Sequence, residues 1–445
     1  MRALLSALAV ATAALGIAVA IPSAGSSHRG GASTLAAAPD PAPADRSAAA
    51  RALTTLDARL LAARTHAARH GRDWGHLEEV ARLELARAKA THQLVDYQQV
   101  TRTLTAAFAL AGEGSGPLLV RAQLHLDLHR LDAASADLDR LEAAVLSRPG
   151  ERAQAAALRA DVAFHRGEYT PALAGFRAGH AADPHPGSAF RLALYAWKTG
   201  ALDEAVGWID QAQRLVGADD DRTWAWLEVQ RGQLAAERGQ YDAALAAFRA
   251  ADARFDGWWY VDAQLAGALA RTGAIEEAIT RYQRVVERTG DAEAMDALAG
   301  LLAAIDPARA AALGARASET YATWMAALPE ASVGHAFLHE LVAGDPARAL
   351  ELARRNLALR PGGEAQLWHA QALLRAGQCA AARTQIDATL ATPFRSAAVH
   401  ATAALAHGGC GDPAVAAAQR AAALAINADA LTDLGHLAAP GSPAP

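Results

Sequence analysis

The stretch RADVAFHRGEYTPALAGFRAGHAADP, residues 159–184, carries the pattern on which the fold depends. Apolar residues recur in it at three- and four-residue spacing, which is typical of amphipathic helices, and Gly167 divides the pattern in two. Small residues such as Ala160 and Ala172 let two antiparallel helices cross closely, while the larger Phe176 fills space between hairpins. Glycine ends a helix at low cost because it readily adopts the left-handed backbone conformation. The stretch therefore predicts a helical hairpin.

The same pattern recurs along the chain. Two clear copies are RGQLAAERGQYDAALAAFRAA from Arg231 and LAGALARTGAIEEAITRYQRV from Leu265. One hairpin cannot bury its apolar face alone, so repeats of this kind stack into a continuous core. Successive turn glycines lie 33, 39 and 34 residues apart, and a later series has spacings of 33 and 34: Gly167, Gly200, Gly239 and Gly273, then Gly344, Gly377 and Gly411. The period predicts about ten hairpins over roughly residues 80 to 430.

At these relative positions the chain resembles the tetratricopeptide repeat family, which places small, glycine, aromatic, alanine and aromatic residues there. The residues that carry the resemblance are Ala160, Gly167, Tyr169, Ala172 and Phe176, then Gly232, Gly239, Tyr241, Ala244 and Phe248, then Ala266, Gly273, Ile275, Ala278 and Tyr282. The resemblance implies an all-α fold, a right-handed α-solenoid of about ten helix-turn-helix hairpins. It also implies a concave groove, lined by the first helices of the hairpins, that commonly holds a peptide or protein segment.

Carried over position by position, the resemblance places a set of polar and aromatic residues in that groove. They are Asp161, Arg191, Trp226, Gln230, Gln233, Tyr260, Gln264, Arg271, Trp368, Gln371 and Arg375. Amides can pair with an extended backbone, guanidinium groups with carboxylates, and rings with apolar side chains. We therefore expect a non-enzymatic scaffold that binds a protein or peptide partner. Because tryptophans and glutamines also suit sugar rings, the alternative is a cell-envelope assembly factor or glycan-binding module.

The first residues have the pattern of an export signal. Arg2 precedes an apolar run over residues 4–21, and small residues follow at positions that suit cleavage. Residues 1–24 are thus a signal peptide, or else an uncleaved anchor that tethers the chain to a membrane through residues 4–21, because 18 apolar residues approach spanning length. Either alternative predicts an extracytoplasmic protein, periplasmic or secreted.

Composition divides the remainder of the chain into three parts. Pro, Ala and Ser predominate in residues 25–50, which predicts a flexible linker. The helical patterns then predict the solenoid over residues 51–437. The last residues, 438–445, are rich in proline and predict a disordered tail.

Charge and motifs argue against two other classes of protein. The 42 Lys and Arg residues and 47 Asp and Glu residues are interspersed, so the basic stripe of a nucleic-acid-binding protein is missing and we expect no nucleic-acid partner. No phosphate-binding loop, nucleophile elbow or HExxH motif occurs, so we expect no catalytic residue and no cofactor. The least favoured alternative is an enzyme with a site near residues 320–340, around Tyr321, His335 and His339.

Histidines and cysteines suggest two further sites. Two pairs share the i, i+4 spacing that puts both imidazoles on one helix face: His125/His129 and His335/His339. Since no third ligand follows by spacing, we expect no metal site. Cys379 and Cys410 lie near the turns of successive repeats, and export would permit a disulfide between them if their Cα atoms lie within about 7 Å. The spacing leaves open whether this bridge forms.

Overall fold

The computed structural model describes residues 46–112, 114–144 and 149–437. Within these ranges the chain consists of α-helices joined by short turns, with no β-strand. The predicted signal or anchor, nearly all of the predicted linker and the predicted tail lie outside the described residues. Of the helices that are described, none is both long enough and apolar enough to cross a membrane.

A single helix, α1 (Ala48–Arg69), precedes ten helical hairpins in the described part of the chain. The two helices of successive hairpins are α2 (Trp74–Thr91) and α3 (Leu94–Leu110); α4 (Leu118–Asp127) and α5 (Leu131–Ala143); α6 (Pro149–His165) and α7 (Tyr169–Ala182); α8 (Pro186–Lys198) and α9 (Leu202–Arg214); α10 (Asp221–Glu237) and α11 (Tyr241–Arg254); α12 (Trp259–Arg271) and α13 (Ile275–Thr289); α14 (Ala292–Leu302) and α15 (Pro307–Ala327); α16 (Pro329–Ala343) and α17 (Pro346–Leu359); α18 (Gly363–Arg375) and α19 (Cys379–Ala391); and α20 (Ala397–Gly409) and α21 (Pro413–Ile426). A short helix, α22 (Ala430–Asp433), and a 3₁₀ turn (Gly435–Leu437) follow them. The predicted all-α solenoid of about ten hairpins is confirmed.

The first helix extends further towards the N-terminus than the sequence pattern suggested. It begins at Ala48, within the segment predicted as linker, because the Ser47 hydroxyl accepts a hydrogen bond from the Ala50 backbone N–H and caps the helix. A contact far along the chain also holds this end, where the Ala48 backbone N–H donates to the Asp256 carboxylate at 2.7 Å. An acidic group at a helix N-terminus satisfies free N–H groups and favours the helix dipole.

Glycines close most hairpin turns in the left-handed conformation, as the repeat pattern predicts. Six of the seven turn glycines have positive φ: Gly167, Gly200, Gly239, Gly273, Gly377 and Gly411. Gly344 differs, because its φ is −105°. At that turn Asp345 caps α17 instead, accepting a hydrogen bond from the Ala347 N–H at 2.9 Å. The left-handed conformation is therefore used at most turns but not at this one, where a Cβ atom on Gly344 would instead lie 2.9 Å from the Glu340 Cα atom.

The array winds so far that later hairpins pack directly on earlier ones. Hydrogen bonds and ion pairs join residues that lie 160 to 200 positions apart in the chain. The bridging pairs are Gln93–Thr289, Arg130–Glu330, Tyr169–Gly363, Lys198–Arg395, Glu237–Ala397 and Arg271–Asp433. Each joins the turn region of one hairpin to a residue at or near a helix end, in the next superhelical turn or in the C-terminal cap. The solenoid is therefore a superhelix whose turns touch, and not an open arc.

Some turn glycines also make room for this second superhelical turn. A Cβ atom at Gly167 would lie 3.3 Å from the Cα atom of Gly362, and one at Gly239 would lie 2.7 Å from the Asn427 Oδ1 atom. At Gly377 a Cβ atom would meet nothing within 4 Å. Where the superhelical turns touch, the glycine thus has two physical roles. It adopts the left-handed backbone conformation, and its lack of a Cβ atom allows the close contact.

The two cysteines join the ninth hairpin to the tenth. Cys379 is the first residue of α19 and Cys410 follows the last residue of α20. Their Cα atoms are 5.9 Å apart, within the range that a disulfide requires, and the structure joins their sulfurs. The bridge closes a loop with a sequence separation of 31 residues.

The substitution Gly239→Ala should destabilise the protein more than Gly377→Ala, although both residues have a φ of 70°. Each substitution lowers the free energy of unfolding by about 1 kcal/mol, because alanine is strained in this backbone conformation. Gly239→Ala should lose about 1–3 kcal/mol more, since the new methyl group overpacks against Asn427. Urea denaturation followed by circular dichroism measures both losses. Equal losses would show that the contact at Asn427 contributes nothing to stability.

Reduction of the disulfide should lower the free energy of unfolding by about 3 kcal/mol, because the loop that it closes is then free in the unfolded chain. Denaturation curves with and without dithiothreitol measure this loss. The double variant Cys379→Ser/Cys410→Ser should show no response to the reductant. A wild-type protein whose stability is equally insensitive would contradict the bridge.

Candidate functional site

A cavity lies where the first two hairpins meet the sixth, seventh and eighth. The space inside it that water-sized molecules can occupy is about 120 Å³. Aromatic side chains dominate its walls: Tyr97, Trp258, Trp259, Tyr260 and Trp324. Trp259 is fixed by its indole N–H, which donates to the Ala90 carbonyl at 3.0 Å. The superhelical contact thus produces a ring-lined site from parts of the chain far apart in sequence.

The charged groups in and around these walls are paired within the chain. The pairs are Lys89–Asp127, His92–Asp291 and His335–Glu293. In the first, the Lys89 Nζ atom lies 2.8 Å from Asp127 Oδ2; in the second, His92 Nε2 lies 3.2 Å from Asp291 Oδ2. Such compensation leaves the cavity without a strong excess of either charge, so its surface favours an apolar or aromatic occupant.

Two buried N–H groups in the cavity wall have no hydrogen-bond partner among the described residues. One is Nε1 of Trp258 and the other is Nδ1 of His129. His129 Nε2 lies 2.9 Å from a guanidinium nitrogen of Arg360, which can only donate, so Nδ1 carries the imidazole proton. Burial and the Arg360 charge hold the pKa of His129 well below its ordinary value, which agrees with a neutral ring.

Two cavity histidines occupy the turn position that glycine occupies in later hairpins. His92 and His129 end the first helices of hairpins one and two with φ values of 56° and 57°. A side chain in the left-handed region costs about 1 kcal/mol, so glycine would be the easier residue at both positions. Such strain concentrates at functional sites. The sequence already showed histidine at these positions, two residues before Leu94 and Leu131, but we did not interpret the exchange as a signal.

The residues predicted to line the concave groove all lie on first helices, as the repeat register implies, but none of them is exposed. Buried are Trp226, Gln230, Gln233, Tyr260, Gln264, Trp368 and Gln371, and partly buried are Asp161, Arg191, Arg271 and Arg375. Only Tyr260 lines the cavity. The expectation of an open groove along these side chains is therefore corrected by the structure, while their binding to a partner stays a prediction.

The predicted groove residues are buried because their side chains contact one another and neighbouring residues. The amides of Gln230 and Gln233 both donate to the Tyr260 hydroxyl at 3.2 Å, and Gln233 also donates to Gln264 at 3.2 Å. This network joins α10 to α12. The other members make comparable contacts: Asp161 with Arg191, Gln371 with Thr402, Trp368 with Phe337, Arg271 with Asp429 and Asp433, and Arg375 with the His436 carbonyl. The inner face joins neighbouring hairpins to each other and to the cap.

A serine, a histidine and an aspartate come together near residues 320–340. Ser318 Oγ lies 2.9 Å from His339 Nε2, and His339 Nδ1 lies 2.9 Å from Asp296 Oδ2. This is the order of nucleophile, base and orienting carboxylate in serine hydrolases. The hydroxyl of Tyr321 donates to the same Asp296 carboxylate, so two of the three residues named for an enzyme meet here.

The geometry does not activate Ser318, however. Its hydroxyl donates to the Gly314 carbonyl at 3.0 Å, so the histidine must be the donor between serine and imidazole. Burial lowers the pKa of His339, but the hydrogen bond and charge of Asp296 outweigh it and raise the pKa above its ordinary value. An imidazolium that donates from both nitrogens fits this network. Ser318 also lies mid-helix, where backbone N–H groups are already used and cannot form an oxyanion hole.

Three histidines away from the cavity are the one group of metal-ligating side chains that the described residues assemble. They are His66, His70 and His76. The expectation of no metal site rested on two other pairs, His125/His129 and His335/His339. In the first of these, α4 ends at Asp127, so the helical spacing does not apply. The signal that we missed was the i, i+4 spacing of His66 and His70.

The protein should lose stability as the pH falls from about 6.5 towards 4, partly because His165 lies partly buried beside Arg360. Burial and the Arg360 charge lower the pKa of His165 to about 4. The unfolded chain binds a proton below about pH 6.5 that the folded chain does not bind, which lowers the free energy of unfolding by up to about 3 kcal/mol at pH 4. Urea denaturation between pH 7 and 4.5 measures this, and His165→Gln should show a shallower pH dependence. An unchanged dependence would contradict the assignment.

The sequence matches no protein-family model and no curated protein. Among solved structures, human IFIT1, a dimer with m7Gppp-AAAA, is 13% identical; the alignment covers 79% of this chain and 90% of that one, with a TM-score of 0.41. A thermophilic TPR protein of Thermus thermophilus is 23% identical over 42% of this chain and 97% of its own, with a TM-score of 0.35. A tetratricopeptide repeat protein of Parabacteroides merdae is 15% identical over 57% and 98%, also at 0.35. The stacked hairpins and left-handed turn glycines of this chain form a tetratricopeptide-type all-α solenoid.

Proposed function

We propose that this chain is a non-enzymatic extracytoplasmic scaffold that holds a protein or peptide partner, with the ring-lined cavity as the point of attachment. The observation that carries the proposal is the group of five aromatic side chains that lines the cavity. Such a group binds apolar and aromatic surfaces. Rigid stacked hairpins hold the site in place.

A peptide segment provides such a surface. Its apolar or aromatic side chain packs among Trp259, Trp324 and Tyr97. Aromatic anchors in desolvated pockets supply much of the binding energy in protein complexes. The cavity accommodates only a short stretch, so the rest of the partner lies outside the superhelix.

Two features support an extracytoplasmic location. The apolar run over residues 4–21, which follows Arg2, has the character of a signal or a membrane tether. The pair Cys379–Cys410 is placed to form a disulfide, and structural disulfides persist in oxidising compartments. Blocking free thiols in intact cells before lysis, followed by alkylation after reduction, measures the oxidation state. Cysteines that are free in the cell would contradict this location.

A second candidate is a glycan-binding module or an envelope assembly factor. Three tryptophans in one cavity favour it, because the faces of sugar rings stack on indoles and sugar hydroxyls accept hydrogen bonds. Quenching of tryptophan fluorescence by envelope oligosaccharides distinguishes this candidate from a peptide-binding scaffold.

We expect a photocrosslinking amino acid at Trp324 to form one dominant protein adduct in intact cells, because this partly exposed ring lines the cavity. Trp208 provides the matched control, since it is also partly exposed but lies on the second helix of hairpin four, away from the cavity. Mass spectrometry identifies the crosslinked peptide. The corresponding synthetic peptide should bind the purified protein and lose at least about tenfold in affinity to Ala331→Trp, which narrows the cavity.

Other outcomes would count against the proposal. Adducts of equal yield from Trp324 and Trp208 would show that the cavity does not bind the partner. An identified peptide that binds Ala331→Trp as tightly as the wild type would place attachment elsewhere. No protein adduct at Trp324, together with fluorescence quenching by an oligosaccharide, would favour the glycan-binding candidate.

A further inference from the structure

The histidines His66, His70 and His76 converge at the junction between α1 and the first hairpin. His66 lies on the last turn of α1, His70 follows its last residue, and His76 lies on the first turn of α2. The ring centroids are 4.3, 4.4 and 5.3 Å apart, and one nitrogen from each ring lies within 4.8 Å of the others. Three nitrogens at this separation can all reach one ion at about 2.1 Å after small side-chain rotations.

The local backbone orients these rings. The i, i+4 spacing places His66 and His70 on one side of the chain. Asp73 caps α2, with its Oδ1 atom accepting from the Gly75 N–H at 2.8 Å, and this directs the first turn of α2 towards the end of α1. Because the junction is only four residues long, its geometry is tightly defined.

The hydrogen bonding of His70 leaves a free lone pair. Its Nδ1 atom lies 3.0 Å from the His66 backbone carbonyl, which can only accept, so Nδ1 carries the proton and Nε2 is unprotonated. Metal-binding histidines are commonly fixed by such a bond from the second nitrogen to a carbonyl. The nearest carboxylate is Asp73, whose Oδ2 atom lies 3.8 Å from His76 Nε2.

Three nitrogen ligands with few carboxylates suit borderline transition metals and not Mg²⁺ or Ca²⁺, which prefer oxygen.

We propose that His66, His70 and His76 bind one divalent transition-metal ion of the zinc class, with water completing its coordination. The ion joins α1 to hairpin one, where a small separate cluster of Leu60, Ala67, Val80 and Leu83 supplies the buried apolar contacts. Because α1 follows the N-terminal segment directly, metal binding strengthens the attachment of the solenoid to that segment. This site is independent of the partner-binding cavity.

The test uses the full chain, purified without an affinity tag and stripped of metal, titrated with Zn²⁺ against a chromophoric chelator. We expect one Zn²⁺ per chain. Co²⁺ should give the visible absorption of a tetrahedral site. The single variants His66→Gln, His70→Gln and His76→Gln should each weaken binding at least about tenfold, because each removes one ligand. His400→Gln, on α20, is the matched control and should bind as the wild type does.

Stability gives a second measurement. Zn²⁺ should raise the melting temperature of the wild type but not that of the triple variant, since a ligand that binds only the folded state stabilises it. Circular dichroism of the metal-free variants confirms that they fold, which is expected because His66 and His70 are exposed. Absence of stoichiometric binding by the wild type would overturn the proposal. Binding that survives the triple substitution would overturn it equally.

Discussion

The close approach of the second superhelical turn to the first is the constraint on which the rest of the structure depends. It is made by backbone groups as much as by side chains: the Gly363 N–H donates to the Tyr169 hydroxyl, and the Arg395 N–H donates to the Lys198 carbonyl. Backbone contacts of this kind need a partner without a side chain, and Gly167 provides it opposite Gly362. The same glycine that ends a helix thus sets how tightly the superhelix can wind.

Contacts between neighbouring hairpins account for the chemistry of the inner face. The polar residues on the first helices are buried or partly buried there. A buried polar group without a partner costs about 1–3 kcal/mol, which favours hydrogen bonds among these groups. The amides of Gln230 and Gln233 form such bonds with Tyr260, and Asp161 forms them with Arg191. Residues that resemble a peptide-binding surface in the sequence therefore serve to hold hairpins together.

The sequence predicts the structure within each hairpin. It does not predict the superhelical pitch, because the pitch results from small rotations summed over many hairpins. Helical periodicity and a turn glycine such as Gly239 act within one hairpin, so the architecture and the first-helix register could be derived. The pitch of the superhelix depends on a small rotation per hairpin, summed over several hairpins. No local pattern reports that Asn427 will lie against Gly239, or that Trp259 will reach Ala90. The cavity exists only because of such contacts, which explains why Tyr260 alone among the predicted groove residues lines it.

Departures from the repeat are nevertheless visible in the sequence, and they point to the cavity. Hairpins one and two have His92 and His129 where most other turns have glycine, and both residues adopt the left-handed conformation at a cost of about 1 kcal/mol each. In return, the folded chain holds the imidazole ring of each histidine at a defined position in the cavity wall. His92 stacks on Trp259 with centroids 4.5 Å apart, while His129 places a neutral imidazole in the cavity wall, where its Nε2 atom accepts from Arg360. Glycine in place of His92 or His129 would remove the backbone strain. The contact between the two superhelical turns would then lack that imidazole ring. A residue that is unfavourable for the repeat but lines the cavity is the sequence signal that locates the proposed binding site.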